Sequence, residues 1–210
     1  INRDNVANLP LAWEYRTGEM PAPASDSLIA FEDQPSLIEG NLVVCTTSRR
    51  IIALDPATGI ERWVFDPEDR KVGMQKCRGI ASWIDDVALD GAHCKTRVLL
   101  GTSDNRVSAI DAHDGKRCAG FGTNGEVAIQ PSKPETFPGE YVTTSRPAVV
   151  NDIIVLGSMV ADNQRIDAPS GRVHAFNART GTPAWTFDPV PRDPADPAAE
   201  SWERGSGEGF

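Results

Sequence analysis

The sequence contains no apolar run long enough to cross a membrane. Its apolar runs, such as those at 148–150 and 153–156, have the length of β-strands, whereas a membrane helix needs roughly 18 apolar residues. Basic residues are also scarce, because 21 Lys and Arg stand against 30 Asp and Glu and leave a net charge of −9. Binding to nucleic acid or to an anionic membrane requires a basic surface, so this balance argues against both partners.

Patterns typical of a zinc site or of a helix bundle are missing as well. The four cysteines form no Cys-x-x-Cys pair, and the three histidines have no zinc-type spacing. No stretch of useful length repeats apolar residues at the helical period. Glycine and proline are instead abundant, with 18 and 16 residues, which together exceed the usual share of about 12%. This composition predicts many turns.

One pattern recurs three times along the chain, in the form Ala-x-Asp/Asn-x-x-x-Gly. The clear copies occupy residues 52–59, 108–115 and 174–181, spaced 56 and 66 residues apart, and a weaker copy occupies 11–18. Trp63, Cys118 and Trp185 follow the three clear copies. Common propeller repeats are about 40–50 residues long, so these spacings imply inserted loops.

Each copy predicts the same local structure. An apolar run, at 42–46, 97–102 or 153–158, predicts a strand, and a second strand ends at the Asp or Asn. The glycine then takes the positive φ of a tight turn, while the Asp or Asn caps the turn backbone. A third strand is expected to start at the position of the Trp or Cys. There an indole ring can bury its apolar face and donate its N–H to a backbone oxygen.

Such sheets in series predict an all-β fold, a partial β-propeller of about three to four blades. The alternative is a β-sandwich whose hairpins happen to be similar. The chain begins without a signal-peptide pattern and ends without a final strand, so we expect one propeller domain over residues 1–210, truncated at both ends. Residues 188–210 are rich in proline, glycine and aspartate, which predicts a long loop or a disordered linker.

The repeat resembles the tryptophan-docking blade motif of the pyrroloquinoline quinone (PQQ) dependent dehydrogenases, which are eight-bladed quinoproteins. Four further segments resemble the membrane-type glucose and quinate dehydrogenase branch of that family. They are Phe31-Glu32-Asp33-Gln34-Pro35, Cys77-Arg78-Gly79-Ile80-Ala81-Ser82-Trp83, Tyr141-Val142-Thr143-Thr144-Ser145-Arg146-Pro147 and Gly157-Ser158-Met159-Val160-Ala161-Asp162-Asn163. The resemblance covers nearly the whole chain and implies part of an eight-bladed propeller.

The resemblance implies a PQQ site that includes Glu32, Arg78, Thr144 and Ala161. PQQ is a tricarboxylic acid, and the guanidinium group of Arg78 matches a carboxylate with two parallel hydrogen bonds. Thr144 can donate to a carboxylate, and Ala161 would offer its backbone. From residue type alone, Arg78 and Glu32 also fit ordinary surface charges, and Thr144 fits a strand or turn.

The resemblance also implies that Asp162 and Asn163 bind Ca²⁺ or Mg²⁺, which would polarise the quinone. Both cations prefer carboxylate and amide oxygens, and a bound cation acts as a Lewis acid. The alternative is an Asp-Asn turn. Because two side chains do not fill a calcium coordination shell, further ligands must come from the cofactor or from other parts of the protein.

Two departures from the family bear on the branch. Methanol-oxidising relatives carry adjacent cysteines under the cofactor, and this sequence has no Cys-Cys pair, which argues against that branch. The glucose branch has a histidine just upstream of Cys-Arg-Gly, whereas here the stretch is Gly73-Met74-Gln75-Lys76. Met74 or Lys76 would then cover the quinone ring.

The blade topology also bears on the cysteines. Cys94 begins one strand, and Cys118 follows the next strand and its turn, so both are expected at the same end of a sheet. This predicts a Cys94–Cys118 disulfide and leaves Cys45 as a buried thiol. A disulfide implies an oxidising compartment.

For the function, the resemblance implies oxidation of a sugar or polyol of the glucose or quinate type. Hydride passes to PQQ, and electrons pass on to ubiquinone or a cytochrome. The implied location is the periplasmic side of a bacterial inner membrane, with attachment only through a missing N-terminal part. The general base, an Asp in this family, would lie beyond Phe210, so we expect this chain alone to be inactive. The alternatives are a non-catalytic quinoprotein-like scaffold and a PQQ alcohol dehydrogenase.

Overall fold

Three four-stranded antiparallel sheets follow one another along the chain. The computed structural model describes residues 1–19, 29–69, 75–161, 163–191 and 195–201. The strands are β1 (Ile29–Phe31), β2 (Ser36–Ile38), β3 (Asn41–Cys45), β4 (Ile51–Leu54), β5 (Glu61–Phe65), β6 (Gln75–Cys77), β7 (Ala81–Ile84), β8 (Thr96–Gly101), β9 (Arg106–Asp111), β10 (Glu126–Ala128), β11 (Tyr141–Val142), β12 (Ala148–Val150), β13 (Ile153–Leu156), β14 (Met159–Val160), β15 (Val173–Asn177) and β16 (Pro183–Phe187). Two short 3₁₀ helices cover Val6–Asn8 and Pro197–Ser201.

Each large sheet is an up-and-down meander. The strand orders are β2-β3-β4-β5, β7-β8-β9-β10 and β12-β13-β15-β16, and we call these sheets blades 1, 2 and 3. The first strands of blades 2 and 3, β7 and β12, contact each other. Two small pairs lie in the connections, parallel β1-β6 and antiparallel β11-β14. The prediction of a partial, all-β propeller is therefore confirmed.

The meander places the connections at two opposite ends of the blades. Successive strands run in opposite directions, so the segments that enter a blade and those that join its second and third strands lie at the same end. We call this end the upper face. Its described segments are 32–35, 46–50, 66–69, 75–80, 102–105, 129–147, 157–161 and 163–172. The turns of the Ala-x-Asp/Asn-x-x-x-Gly repeat lie at the other end, the lower face.

The repeated turn has the same hydrogen bonds in all three blades. The side-chain Oδ1 of Asp55, Asp111 or Asn177 accepts two backbone N–H groups from the residues that follow it, at 2.8–3.1 Å. The turn glycines have φ values of 70°, 72° and 75°. The predicted capping by Asp or Asn is therefore confirmed, as is the positive φ of the glycine.

Tryptophan rings pack on these turns from the neighbouring segment of chain. A Cβ atom added to Gly59 would lie 2.6 Å from the ring of Trp13, and one added to Gly115 would lie 2.6 Å from the ring of Trp63. Trp13 donates its Nε1 hydrogen to the oxygen of Pro56 at 3.2 Å. Trp63 Nε1 has no partner among the described residues, so the expected backbone acceptor is wrong there.

Blade 2 departs from the predicted repeat. The strand expected at Cys118 is wrong, because its outer strand is β10, which begins eight residues later at Glu126. Residues 118–125 instead form hydrogen-bonded turns, in which Phe121 N–H donates to Cys118 O and Gly125 N–H donates to Phe121 O. A disulfide between Cys118 and Cys94 fixes the start of this insertion (S–S 2.12 Å).

The second disulfide corrects the prediction for Cys45. Cys45 is not a free thiol but is bonded to Cys77 (S–S 2.07 Å). The sequence places Cys77 on the approach to blade 2. However, Cys77 ends strand β6, which pairs in parallel with β1, the strand that precedes blade 1. This pairing brings Cys77 next to Cys45 at the end of β3. Along the described residues no cysteine is free.

The apolar side chains form two cores, one on each side of blade 2. Val98 and Leu100 pack with blade 1 residues such as Ile51, whereas Leu99 packs with blade 3 residues such as Ile154. Alternate residues of β8 therefore point into different cores, which explains why the whole strand is buried. No helix within the described ranges has the length and hydropathy of a membrane span.

Candidate functional site

The described residues predicted to bind cofactor or metal all lie on the upper face. Glu32 follows β1, Arg78 follows β6 and Thr144 lies two residues after β11. Ala161 and Asn163 follow β14, whereas Asp162 is outside the described residues. The blade topology thus collects segments that are distant in sequence. Of these residues, only Glu32 and Arg78 are joined to each other by a hydrogen bond in the described part of the chain.

The Glu32–Arg78 pair follows directly from the parallel pairing of two short strands. Phe31 is the register partner of Cys77, so the next residue on each strand lies beside the other. Arg78 Nε donates to Glu32 Oε2 at 2.7 Å, and the two side chains are 45% and 36% exposed. This hydrogen bond holds the pKa of Glu32 below its usual value. A guanidinium group has five N–H donors, and this pair uses one of them.

A second arginine, which was not predicted from the sequence as a site residue, lies beside this pair. Gly79 has a φ of 130°, and a Cβ atom added there would lie 3.1 Å from Cδ of Arg146. Only glycine therefore lets the Arg146 side chain pack against the chain next to Arg78. Lys76 is also close enough to lower the pKa of Glu32. The signal was available, because Arg146 lies in the Thr-Thr-Ser-Arg-Pro stretch of a segment that carries the family resemblance.

Thr144 occupies a more enclosed position. It is 8% exposed, and its neighbour Thr143 is fully buried. Thr143 Oγ1 has no hydrogen-bond partner among the described residues, although buried hydroxyl groups are usually paired. The preceding strand is held by Asn105, whose Nδ2 donates to Tyr141 O at 3.0 Å. These two hydroxyl groups lie where the entry segment of blade 3 reaches the upper face.

Ala161 and Asn163 line an open cavity of about 640 Å³. This volume is within the range of small-molecule sites. Ser158, Arg165, Ser170 and Val190 contribute to the same wall, which is part polar and part apolar. Asn163 has a φ of 56°, a left-handed conformation that asparagine tolerates better than most residues.

A buried polar network lies behind this cavity and was not predicted from the sequence. Tyr141 Oη is 3.0 Å from His174 Nε2 and is also hydrogen-bonded to Ser158 Oγ. Burial raises the pKa of Tyr141 and lowers the pKa of His174, so both groups favour their neutral forms. Ser158 connects the network to the cavity wall. Ser158 and Tyr141 lie in segments of the family resemblance, but His174 is part of the blade repeat and carried no separate signal.

On the lower face, His93, Cys94 and Asp111 place ligand-type atoms within 4.8 Å of one another. Cys94 is in a disulfide and therefore cannot act as a thiolate ligand. What remains is a His93–Asp111 contact of 3.3 Å. Asp111 also caps the turn of its blade, so a structural role accounts for this group.

Comparison with known proteins gives several quinoprotein dehydrogenases as relatives. The chain is 37% identical over 202 residues to the quinoprotein glucose dehydrogenase of Escherichia coli K12, covering 92% of this chain and 25% of that protein. It is 32% identical to the quinate/shikimate dehydrogenase (quinone) of Acinetobacter baylyi, covering 92% and 26%. The chain thus spans about a quarter of the length of these relatives.

A solved structure and a family description agree with these relatives. The quinohemoprotein alcohol dehydrogenase ADHIIG of Pseudomonas putida HK5 superimposes with a TM-score of 0.61 at 28% identity, covering 82% of this chain and 22% of that one. Residues 1–209 match the family described as "PQQ: Glucose/ethanol/alcohol dehydrogenase, beta-propeller domain". Since this match includes nearly every residue, the chain belongs to the β-propeller family of the PQQ-dependent glucose, ethanol and alcohol dehydrogenases.

Proposed function

We propose that this chain supplies blades and part of the cofactor site of a PQQ-dependent dehydrogenase that oxidises a sugar or polyol of the glucose or quinate type. The observation that carries the proposal is the Glu32–Arg78 pair with Arg146 beside it on the upper face. Relatives named for glucose and for quinate or shikimate, at 37% and 32% identity, support this substrate class.

The residues of this face fit PQQ by charge and by hydrogen-bonding capacity. PQQ carries three carboxylates, and Arg78, Arg146 and Lys76 place three cationic side chains close together in a chain of net charge −9. Arg78 would bind a carboxylate or quinone oxygen while Glu32 keeps its guanidinium group oriented. The buried hydroxyl of Thr144 would donate to a further oxygen, and the adjacent Thr143 hydroxyl has no partner within the described part of the chain. When bound, PQQ supplies the oxidising quinone.

The cavity beside Ala161 would receive the metal. Asp162 and Asn163 would offer a carboxylate and an amide oxygen to Ca²⁺ or Mg²⁺, which both bind oxygen ligands. Ala161 would face the cofactor through its backbone. The cation would act as a Lewis acid. Its remaining ligands would come from the cofactor or from other parts of the protein.

The remaining assignments rest on the family. Electrons would pass to ubiquinone or a cytochrome on the periplasmic side of a bacterial inner membrane, and the two disulfides are in keeping with an oxidising compartment. Of the two residues predicted to cover the ring, Met74 is outside the described residues and Lys76 is 6% exposed. The general base would be an Asp that follows Phe210 in a longer chain.

The test is reconstitution of the full-length protein with PQQ and Ca²⁺. Reduction of an artificial acceptor would be measured with glucose, quinate and ethanol. In the same protein, Arg78→Met is expected to weaken PQQ binding by about 10- to 100-fold, because it removes a charge-assisted hydrogen bond. Arg78→Lys should lose less, since it keeps the charge but not the planar guanidinium group.

A matched control comes from the lower face. Arg62 also forms an exposed ion pair, with Asp55, and the two side chains are 41% and 27% exposed. Arg62→Met should leave PQQ affinity unchanged. A folded protein that binds no PQQ would contradict the proposal and favour a scaffold. Turnover with ethanol but with neither glucose nor quinate would instead identify the protein as a PQQ alcohol dehydrogenase.

A further inference from the structure

We propose that Glu140 is a positioning residue that fixes the loop carrying the predicted metal ligands. This inference rests on the proposed function. Glu140 lies at the upper face, immediately before β11, and is fully buried. It belongs to the segment 129–147, which enters blade 3, and it contacts the loop that joins the second and third strands of that blade.

Glu140 contacts this loop at two points, one on each side of the predicted metal ligands. Its backbone oxygen accepts the N–H of Ala161 at 2.8 Å. Its side-chain Oε1 accepts the Nε hydrogen of Arg165. Asp162 and Asn163 lie between these two contacts in the sequence. One residue therefore contacts both ends of the five-residue stretch 161–165, which limits the positions that Asn163 can adopt between them.

Both oxygens of the Glu140 carboxylate accept hydrogen bonds from the chain. Its second oxygen, Oε2, accepts the backbone N–H of Thr136 at 2.6 Å and the hydroxyl of Thr136 at 3.1 Å. The bond from Arg165 holds the pKa of Glu140 below its usual value. A buried carboxylate is stable as an anion only with such partners. Glu140 is therefore an ionised acceptor that joins parts of the chain to one another.

Arg165 is likewise committed to the chain, although it lines the cavity. Its Nε bonds to Glu140, its Nη1 lies 3.0 Å from Asp167 Oδ1 and its Nη2 lies 3.4 Å from Pro134 O. All three nitrogens are engaged within the two segments. These contacts assign Arg165 to holding the loop 163–172 against the segment 129–147.

Two further hydrogen bonds connect the same segments. Ser170 N–H donates to Ser132 Oγ at 2.7 Å, and Lys133 Nζ donates to Asp167 O at 3.3 Å. The segment 129–147 also carries Thr144. The contact at Glu140 thus sets the position of the predicted metal loop relative to a predicted cofactor residue. In metal sites, loss of the groups that orient the ligands typically costs 10- to 100-fold in metal affinity, and Glu140 would act here through the backbone of the loop.

The test compares Glu140→Gln with wild type in the full-length protein. The amide keeps the size and one acceptor but loses the charge that holds Arg165. We expect about a tenfold loss of Ca²⁺ affinity, measured by calorimetry in the presence of PQQ. In the protein without cofactor, hydrogen exchange of the amides in 157–172 should become faster. Arg165→Met should have a similar effect while leaving the buried Glu140 in place. Arg165→Lys should lose less Ca²⁺ affinity than Arg165→Met, because it keeps the positive charge.

The matched control is Glu126→Gln. Glu126 is also a glutamate paired with arginine, Arg106, but it lies on the outer strand β10. The Glu126→Gln substitution should change neither the Ca²⁺ affinity nor the rate of amide hydrogen exchange in 157–172. If wild type binds Ca²⁺ and PQQ while the Glu140 and Arg165 variants bind them equally well, the positioning role is overturned and the proposed function stands. If wild type binds neither, both are overturned.

Discussion

At the level of single residues, carboxylates connect the segments of the upper face. Glu19 accepts hydrogen bonds from the loop 46–50, Asp69 accepts them from Ser103 and pairs with Arg49, and Glu140 holds Arg165. A charged acceptor makes stronger hydrogen bonds than a neutral one. These bonds give a defined geometry to segments that have little regular secondary structure.

Glu19 provides a pH-dependent test of this role. Burial by itself raises the pKa of Glu19, but hydrogen bonds from Ser48, Arg50 and Thr46 outweigh it and lower the pKa to about 2. Because the folded-state pKa lies below the unfolded value, ionised Glu19 stabilises the fold above about pH 4.5, and this stabilisation is lost as the pH falls towards 2. Glu19→Gln should therefore cost about 1–2 kcal/mol at pH 7, after allowance for solvent screening.

The measurement is urea unfolding of wild type and variant at pH 7 and at pH 3.5. The difference in unfolding free energy should shrink at the lower pH. Glu14→Gln removes one member of an exposed ion pair with Arg16 in the same segment. Its unfolding free energy should be almost the same as that of wild type at both pH values. An equal difference for Glu19→Gln at both pH values would rule out this explanation.

At the level of elements, neighbouring blades are joined by an aromatic ring on one and a turn glycine on the next. Trp63, on the outer strand of blade 1, lies over Gly115 in the turn of blade 2. In blade 3 the turn glycine Gly181 instead meets Val127 and Gly122, which belong to the insertion and outer strand of blade 2. The turn glycine therefore contacts the neighbouring blade in both cases, although in blade 3 its partner is not a tryptophan ring.

Gly115→Ala tests the blade contact. The φ of 72° disfavours alanine, and its Cβ atom would overlap the ring of Trp63 at 2.6 Å. Strain and overpacking together should destabilise the protein by about 2–3 kcal/mol. Gly120→Ala is the control, because an added Cβ atom there meets no atom within 4 Å. Thermal unfolding of both variants measures the difference, and equal melting temperatures would contradict the predicted overlap.

At the level of the whole molecule, blade 2 is the centre of the described structure. Apolar cores cover both of its faces. Blade 3 differs, because every residue of its outer strand β16 is exposed and Trp185 is 47% exposed. The repeat places Trp185 in the position that Trp63 occupies in blade 1. No turn glycine covers its ring within the described residues.

The isolated 210-residue chain should be catalytically inactive. With saturating PQQ, Ca²⁺ and glucose or quinate, we expect no reduction of an artificial acceptor. The reason is that the family resemblance places the general base outside these residues. The full-length protein, assayed in parallel, is the positive control. Substrate-dependent turnover by the isolated chain would show that a base lies within residues 1–210.

The sequence by itself determined the architecture, because a blade is a local unit. Each repeat contains two strands, a capped turn and, at Trp63 and Trp185, a following aromatic residue within a short stretch of sequence. Local hydrogen bonds to the side chains of Asp55, Asp111 and Asn177 then fix the turns. The family could be predicted on the same basis, since its segments are continuous in the sequence.

Only the tertiary structure decided which distant residues meet. The parallel pairing of β1 with β6 joins Glu32 to Arg78 and Cys45 to Cys77, and the sequence gives no sign of it because two three-residue strands carry too little pattern. The contacts of Arg146 with Gly79 and of Glu140 with Arg165 depend on how loops pack at the upper face. Such contacts arise from long-range packing, so residue type identifies the participants of the site but not their partners.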